Sequence, residues 1–222
     1  MERFSRIRTE KTFSRLLLKW WGKNKRTFPW RLRRDPYAVL IAEMLLRKTT
    51  AKQVEKVYED FISRYPSPPA LSEADMDGPS NILTPLGMEH KRAELFIRLG
   101  RAIQDNPGGR IPSTEKALLK LPGVGQYAAN AVLSFSHGRK VPMVDTNFIR
   151  VIQRVFGLTS SKARARNDKQ LWEFAEKLVP RRRSREFNLA VLDFAALICK
   201  YGNPQCGKCP IISICTYGLQ RA

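Results

Sequence analysis

Forty Lys and Arg against twenty Asp and Glu give this 222-residue chain a formal charge of +20 and a pI near 10.3. An excess of that size calls for a polyanion, with nucleic acid ahead of an anionic membrane surface. No apolar run approaches the ~18 residues that span a bilayer, and the opening Met1-Glu2-Arg3-Phe4-Ser5-Arg6 has no signal-peptide apolar stretch; a soluble intracellular protein of one domain or two small lobes is expected.

Helical periodicity runs through nearly the whole chain without a convincing alternating strand, which predicts an all-α fold. Phe13, Leu16, Leu17, Leu18, Trp20 and Trp21 form an opening amphipathic helix expected to stop at Gly22. A basic loop (Lys23, Lys25, Arg26) leads into Phe28-Pro29-Trp30-Arg31 and Arg33-Arg34-Asp35-Pro36-Tyr37. From Tyr37 to Leu46 the run is almost wholly apolar, so this helix is expected to be buried on most sides. Glu43 lies inside it, and the basic-polar Arg47-Lys48-Thr49-Thr50 follows. Helical patterns resume over 54–62 and 92–103, separated by a connection bearing Pro and Ser at 66–69 and a turn at Leu86-Gly87-Met88.

Leu121-Pro122-Gly123-Val124-Gly125 reads as a tight turn between two helices. The first spans Ser113 to Lys120 with Ser113 as its cap; the second carries Ala128, Ala129, Ala131, Val132, Leu133 and Phe135 and ends at His137-Gly138. Glycines on either side of Val124 leave backbone N–H groups open at a helix N-terminus, which suits a phosphate. Asp145 then precedes a helix over 147–156 with Phe148, Val151, Ile152 and Val155 at core spacing. Taken alone, an Asp there is an N-cap. Residues 160–169 read as a basic surface loop, 171–178 as a helix, Arg181-Arg182-Arg183 as a solvated basic face, and 187–198 as an apolar helix running into Cys199.

All four cysteines fall within 17 residues, as Cys199-x6-Cys206-x2-Cys209-x5-Cys215. Four thiolates so close suit an iron–sulfur cluster or a tetrahedral zinc; structural zinc sites more often use two short-spaced pairs, and disulfides fit an intracellular chain poorly.

Hairpin, following aspartate and cysteine spacing occur in one order, and together they resemble the helix-hairpin-helix DNA glycosylases of the endonuclease III superfamily. The likeness runs from about Phe28 to Cys215. Phe28-Pro29-Trp30-Arg31, Asp35-Pro36-Tyr37, Glu43-Met44-Leu45-Leu46 and Leu86-Gly87 resemble the adenine-glycosylase branch. Leu45 to Ala51, Met143-Val144-Asp145 and Tyr127 are most similar to archaeal-type mismatch glycosylases that remove thymine or uracil opposite guanine.

The resemblance implies a two-lobed all-α fold, with residues 30–138 in one lobe and 1–29 with 139–222 in the other, and duplex DNA crossing the cleft between them. It implies a 4Fe–4S cluster held by Cys199, Cys206, Cys209 and Cys215, and a target nucleotide flipped out of the stack. Asp145 would stabilise oxocarbenium character on the sugar or activate water. Glu43, its pKa expected to rise on burial, would act on the base as acid or recognition group; its ordinary role is a buried Glu satisfied locally. Tyr127 stands where bifunctional members carry a lysine nucleophile, so a simple glycosylase leaving an abasic site is expected. Arg47 and Met88 match positions that insert into the gap left by the flipped nucleotide. Lys48 would read the orphan guanine, and Gly123, Val124 and Gly125 would donate N–H groups to a phosphate.

The competing readings are an adenine glycosylase acting opposite guanine or 8-oxoguanine, a bifunctional oxidised-pyrimidine endonuclease, and a non-catalytic DNA-binding module. Tyr127 disfavours the second, and the joint presence of Glu43 and Asp145 disfavours the third. Against the first, the chain runs only seven residues past Cys215, without the C-terminal domain which that branch uses for oxidised guanine. A monomer in a prokaryotic or archaeal cytoplasm, acting on double-stranded DNA with a mismatched or deaminated base, is expected.

Overall fold

The computed structural model describes residues 2–220, with residues 2–8 in backbone only. Among these residues every regular element is helical. The chain forms two compact units. One is Thr27–His137; the other joins the N-terminal segment through Arg26 to the chain from Gly138 onward. No described helix is long and apolar enough to cross a membrane.

The unit Thr27–His137 is built from short helices around a long one. Because labels follow chain order, α1 (Glu2–Asn24) belongs to the other unit. Here α2 (Pro36–Leu45) is followed by α3 (Ala51–Glu55), α4 (Tyr58–Arg64), α5 (Pro68–Ser72), α6 (Asp77–Leu83), α7 (Glu89–Gln104), α8 (Glu115–Leu118) and α9 (Gln126–Phe135). The apolar run from Tyr37 does make α2, started by Pro36 and by the Asp35 carboxylate accepting from Ala38 N. It is buried from Tyr37 to Leu45 and packs on α9. α7 packs on α5 closely enough that a Cβ at Gly100 would lie 2.8 Å from Ser72 N. Only glycine permits that approach.

The second unit wraps α1 around α10 (Thr146–Phe156), α11 (Lys169–Leu178), α12 (Ser184–Leu197) and α13 (Thr216–Leu219). Phe13, Leu17, Phe148, Ile152, Phe187 and Phe194 interlock in its core, each contributing about 1.5–3 kcal/mol by burial. Met143 N donates to the Asn188 side chain, and Arg150 donates to the carbonyls of Ala195 and Cys199. Those contacts run α10 and α12 in parallel, with their N-termini at one end. Asp193, 0 % exposed on α12, accepts from Trp21 Nε1 at 2.8 Å and from Arg26 N at 3.0 Å, and pairs with Arg26 Nε at 2.6 Å.

Several sequence expectations are corrected. α1 does not stop at Gly22. It continues to Asn24, whose amide donates to Trp20 O, because Gly22 keeps an ordinary negative φ rather than the left-handed turn that ends helices. The pattern over 54–62 is broken into α3 and α4 at Val57, whose φ of −119° leaves the helix. The connection after Pro66 holds α5 and α6, with Pro68 and Pro69 starting a helix instead of breaking one. Ser113 is not the cap of α8: Thr114 holds that place and its side chain makes no capping bond.

Candidate active site and nucleic-acid interface

The hairpin forms as α8, a turn and α9. Gly123 sits at φ +73°, and a Cβ there would meet Arg47 Nη1 at 2.8 Å, Met44 Cε at 2.9 Å and Leu95 Cδ1 at 3.0 Å. The left-handed backbone is what calls for glycine, since the three neighbours are ends of flexible side chains that could shift. Val124 is buried under the turn while Gly123 and Gly125 are exposed. Gly125 is the N-cap of α9 and supplies no side-chain acceptor, leaving first-turn N–H groups for an external anion.

Arg47 Nη1 donates to Gly123 O at 2.9 Å. Arg92, on α7, donates from Nη2 to Arg47 O at 2.9 Å and from Nε to Gly87 O at 2.8 Å. One network thus ties the hairpin turn, the segment after α2 and the turn before α7. Burial first, and then the neighbouring Arg47 cation, push the Arg92 guanidinium below its ordinary pKa. Lys48 and Met88, each at φ +57°, are the non-glycine residues in the left-handed region among those described. Holding an L-side chain there costs roughly 1–2 kcal/mol. Both are exposed, Met88 at 57 %, so the strain is spent on presenting one cation and one flexible apolar side chain outward.

Glu43 is 8 % exposed within α2, and Tyr127, half-buried, is the second residue of α9, the helix packed against it. Both belong to Thr27–His137 together with Arg47, Lys48, Met88 and the hairpin.

Asp145 is in the other unit, half-buried at the N-cap of α10. Its Oδ1 accepts from Phe148 N at 2.7 Å and its Oδ2 from Asn147 Nδ2 at 2.8 Å. Arg150 Nη1 donates to Asn147 Oδ1 at 2.9 Å, and its Nε to Cys199 O at 3.0 Å. The cap thus fixes one oxygen, and a hydrogen-bonded line from Asn147 through Arg150 orients the other.

That line ends at the cysteine loop. All four thiols line one cavity between the end of α12 and α13. Burial, reinforced by the other thiols, pushes Cys209 up to about 11, and burial likewise raises Cys215. Thiols raised in this way become anionic only with a cation to compensate them, as a thiolate-bound metal would. Arg154 lies 3.6 Å from Cys199 Sγ and donates to the carbonyls of Lys200 and Tyr201. The set fits an iron–sulfur or zinc centre in ligand type. Among the described residues, however, no three His, Cys, Asp or Glu side chains stand at metal-holding distance of one another.

The profile of the HhH-GPD superfamily, base excision DNA repair proteins, matches residues 41–177. The chain belongs to this superfamily. The matched span holds Glu43, Arg47, Lys48, Met88, the hairpin, Tyr127 and Asp145, while the four cysteines lie beyond it. Among relatives, the chain is 45 % identical over 213 residues to the thymine/uracil-DNA glycosylase of Pyrobaculum aerophilum, covering 94 % of this chain and 93 % of that one. It is 42 % identical over 207 residues to the thymine/uracil-DNA glycosylase of Methanothermobacter thermautotrophicus, covering 93 % of each. A solved thermostable thymine-DNA glycosylase superposes with a TM-score of 0.91 at 41 % identity, over 96 % of this chain and 98 % of its own. Helical architecture and superfamily follow the sequence expectations.

Within this HhH-GPD chain, Arg92, Asn147, Arg150 and Arg154 were not singled out from sequence. Arg92 and Arg150 act on backbone carbonyls, which no residue spacing announces. The +3 and +4 steps of Asn147, Arg150 and Arg154 along one face of α10 were the available signal.

Proposed function

We propose that this chain is a monofunctional DNA N-glycosylase that removes thymine or uracil mispaired with guanine and leaves an abasic site. What supports the substrate most is the near full-length identity to glycosylases of that name. The alternative, an adenine glycosylase, has no comparable support. The target nucleotide is flipped from the duplex, at the cost of its stacking and pairing. As the C1′–N bond breaks, the base leaves with the electron pair, the sugar gains positive charge, and a water oxygen bonds to C1′ while its proton is lost.

Asp145 is the sugar-side carboxylate, stabilising the cation or taking the water's proton. Glu43 and Tyr127 are assigned to the base side, Glu43 recognising or protonating the base and Tyr127 lining its pocket. A phenol forms no Schiff base with the sugar, so strand cleavage is not coupled to base release. Arg47 and Met88 fill the gap left by the flipped nucleotide, Lys48 addresses the orphan guanine, and N–H groups at Gly123 and Gly125 hold a phosphate; the expected third donor, Val124 N, is instead taken up by the turn and bonds Leu121 O at 3.1 Å. The outward-strained Lys48 and Met88 support these roles.

Cys199, Cys206, Cys209 and Cys215 are proposed to hold a 4Fe–4S cluster, which supplies a cross-link for the loop and no reacting atom. Purified protein should show a visible absorption band that dithionite bleaches; colourless protein with stoichiometric zinc contradicts it.

Labelled duplexes carrying G·T, G·U, G·A and 8-oxoG·A test the activity. Strand breaks are expected only from G·T or G·U and only after alkali. Breaks from the adenine pairs select the alternative, and breaks without alkali overturn the monofunctional assignment.

A further inference from the structure

An open groove of about 670 Å³ runs between α1 and the junction of α11 with α12. Lys11, Arg15 and Lys19 form one wall, and Lys177 and Arg183 stand on the other; among the described residues, Glu10 is the single acidic side chain lining it. The three α1 cations recur at i+4, so their Cα atoms rise in steps of roughly 6 Å along one helix face. Like charges at this spacing destabilise a helix. Among the described residues none of the five cations has a hydrogen-bonding or ion-pairing partner, and all five are exposed. A wall of uncompensated like charge is stable only at a cost that an external polyanion removes.

Position within this unit narrows the occupant. Ser14 Oγ donates to Leu178 O at 2.7 Å, fixing the α1 stripe against the α11–α12 junction. Arg183 directly precedes Ser184, whose hydroxyl donates to Val141 O, four residues before Asp145. Arg183 therefore stands next to the segment that leads into the Asp145 cap of α10. None of its cations is among the residues assigned to the flipped nucleotide.

We propose that this groove is an accessory phosphate-binding track that takes the sugar–phosphate backbone of duplex DNA away from the target base. The proposal rests on the DNA-directed reading above but not on which base is removed. Stepped cations that outnumber the one described carboxylate, Glu10, suit backbone contact without sequence readout. The successive i+4 steps are comparable to the separation of phosphates along one strand.

The test uses the full chain and two variants, Lys11→Ala/Arg15→Ala/Lys19→Ala and Lys177→Ala/Arg183→Ala. Affinity is measured from low to moderate salt for matched and G·T duplexes of 12 and 30 base pairs. Each lost phosphate contact lowers the log–log salt slope by about 0.9, so the triple variant should lose roughly 2.7 on the 30-mer and less on the 12-mer. The loss should be equal for matched and mismatched DNA. Melting temperature should be kept or raised as i,i+4 repulsion is relieved, which separates lost binding from lost folding. Unchanged slopes in both variants overturn the proposal. So does a loss confined to phosphatidylserine vesicles or to a polyglutamate peptide, which would assign the groove to a membrane or an acidic protein. A wild-type chain that releases no base but shows these slopes would sink the glycosylase reading and leave the track standing.

Discussion

Asp145→Asn should bind a G·T or G·U duplex as tightly as the native chain and release base about 10²–10⁴-fold more slowly. The substitution separates the proposed chemical role of this residue from its observed role as a cap. As an N-cap, Asn accepts from Phe148 N as well as Asp does, so α10 keeps its first turn. As a sugar-side group, the amide has neither the negative charge that opposes an oxocarbenium ion nor the basicity to take a proton. Single-turnover base release gives the rate, and a melting curve gives the cap. Asp145→Ala, by contrast, should lose the rate and also about 1 kcal/mol of stability. If Asp145→Asn turns over near the native rate, Asp145 is a cap alone and the sugar-side assignment fails.

The largest stability effect is expected at Asp193. Its carboxylate holds the indole N–H of Trp21 and both the backbone N–H and the guanidinium of Arg26. Asp193→Ala strands those donors against a fully buried position. Arg26 is 32 % exposed and recovers part of its hydration, so the loss falls at the low end for a broken buried pair, about 3 kcal/mol. For a chain of this length that lowers Tm by roughly 6–12 °C. Asp193→Asn, which keeps an acceptor but not the charge, should fall between. A Tm for Asp193→Ala within roughly 2 °C of native would mean that the pair contributes no more than a surface contact.

Much of this architecture could be read from residue patterns, and the misses have physical causes. Apolar periodicity located α2, α7, α10 and α12 because each buries a face long enough to repeat. It failed over 66–83, where α5 and α6 span two turns or fewer and prolines that commonly mark breaks serve as first-turn residues. It ran past the break at Val57 because a β-branched residue that leaves the helix keeps the same apolar character. At the candidate site, the cap role of Asp145 was legible from its place before a helix. Its orientation by Asn147 and Arg150 was not, since it depends on a carbonyl brought close only by the packing of α12. Nor could sequence reveal that Lys48 and Met88 are left-handed, because neither is a residue type that favours positive φ.

The line from Asp145 to the cysteine loop has a consequence for the order in which the protein becomes competent. Arg150 and the Cys199 carbonyl it bonds are 49 residues apart. During synthesis the acid leaves the ribosome well before the carbonyl that steadies it. Until the end of α12 has packed on α10, Arg150 lacks the Ala195 and Cys199 carbonyls that hold it, and the Asn147 amide beside Asp145 is steadied only from within its own helix. Docking of α12 on α10 therefore sets the moment at which this carboxylate acquires its folded orientation.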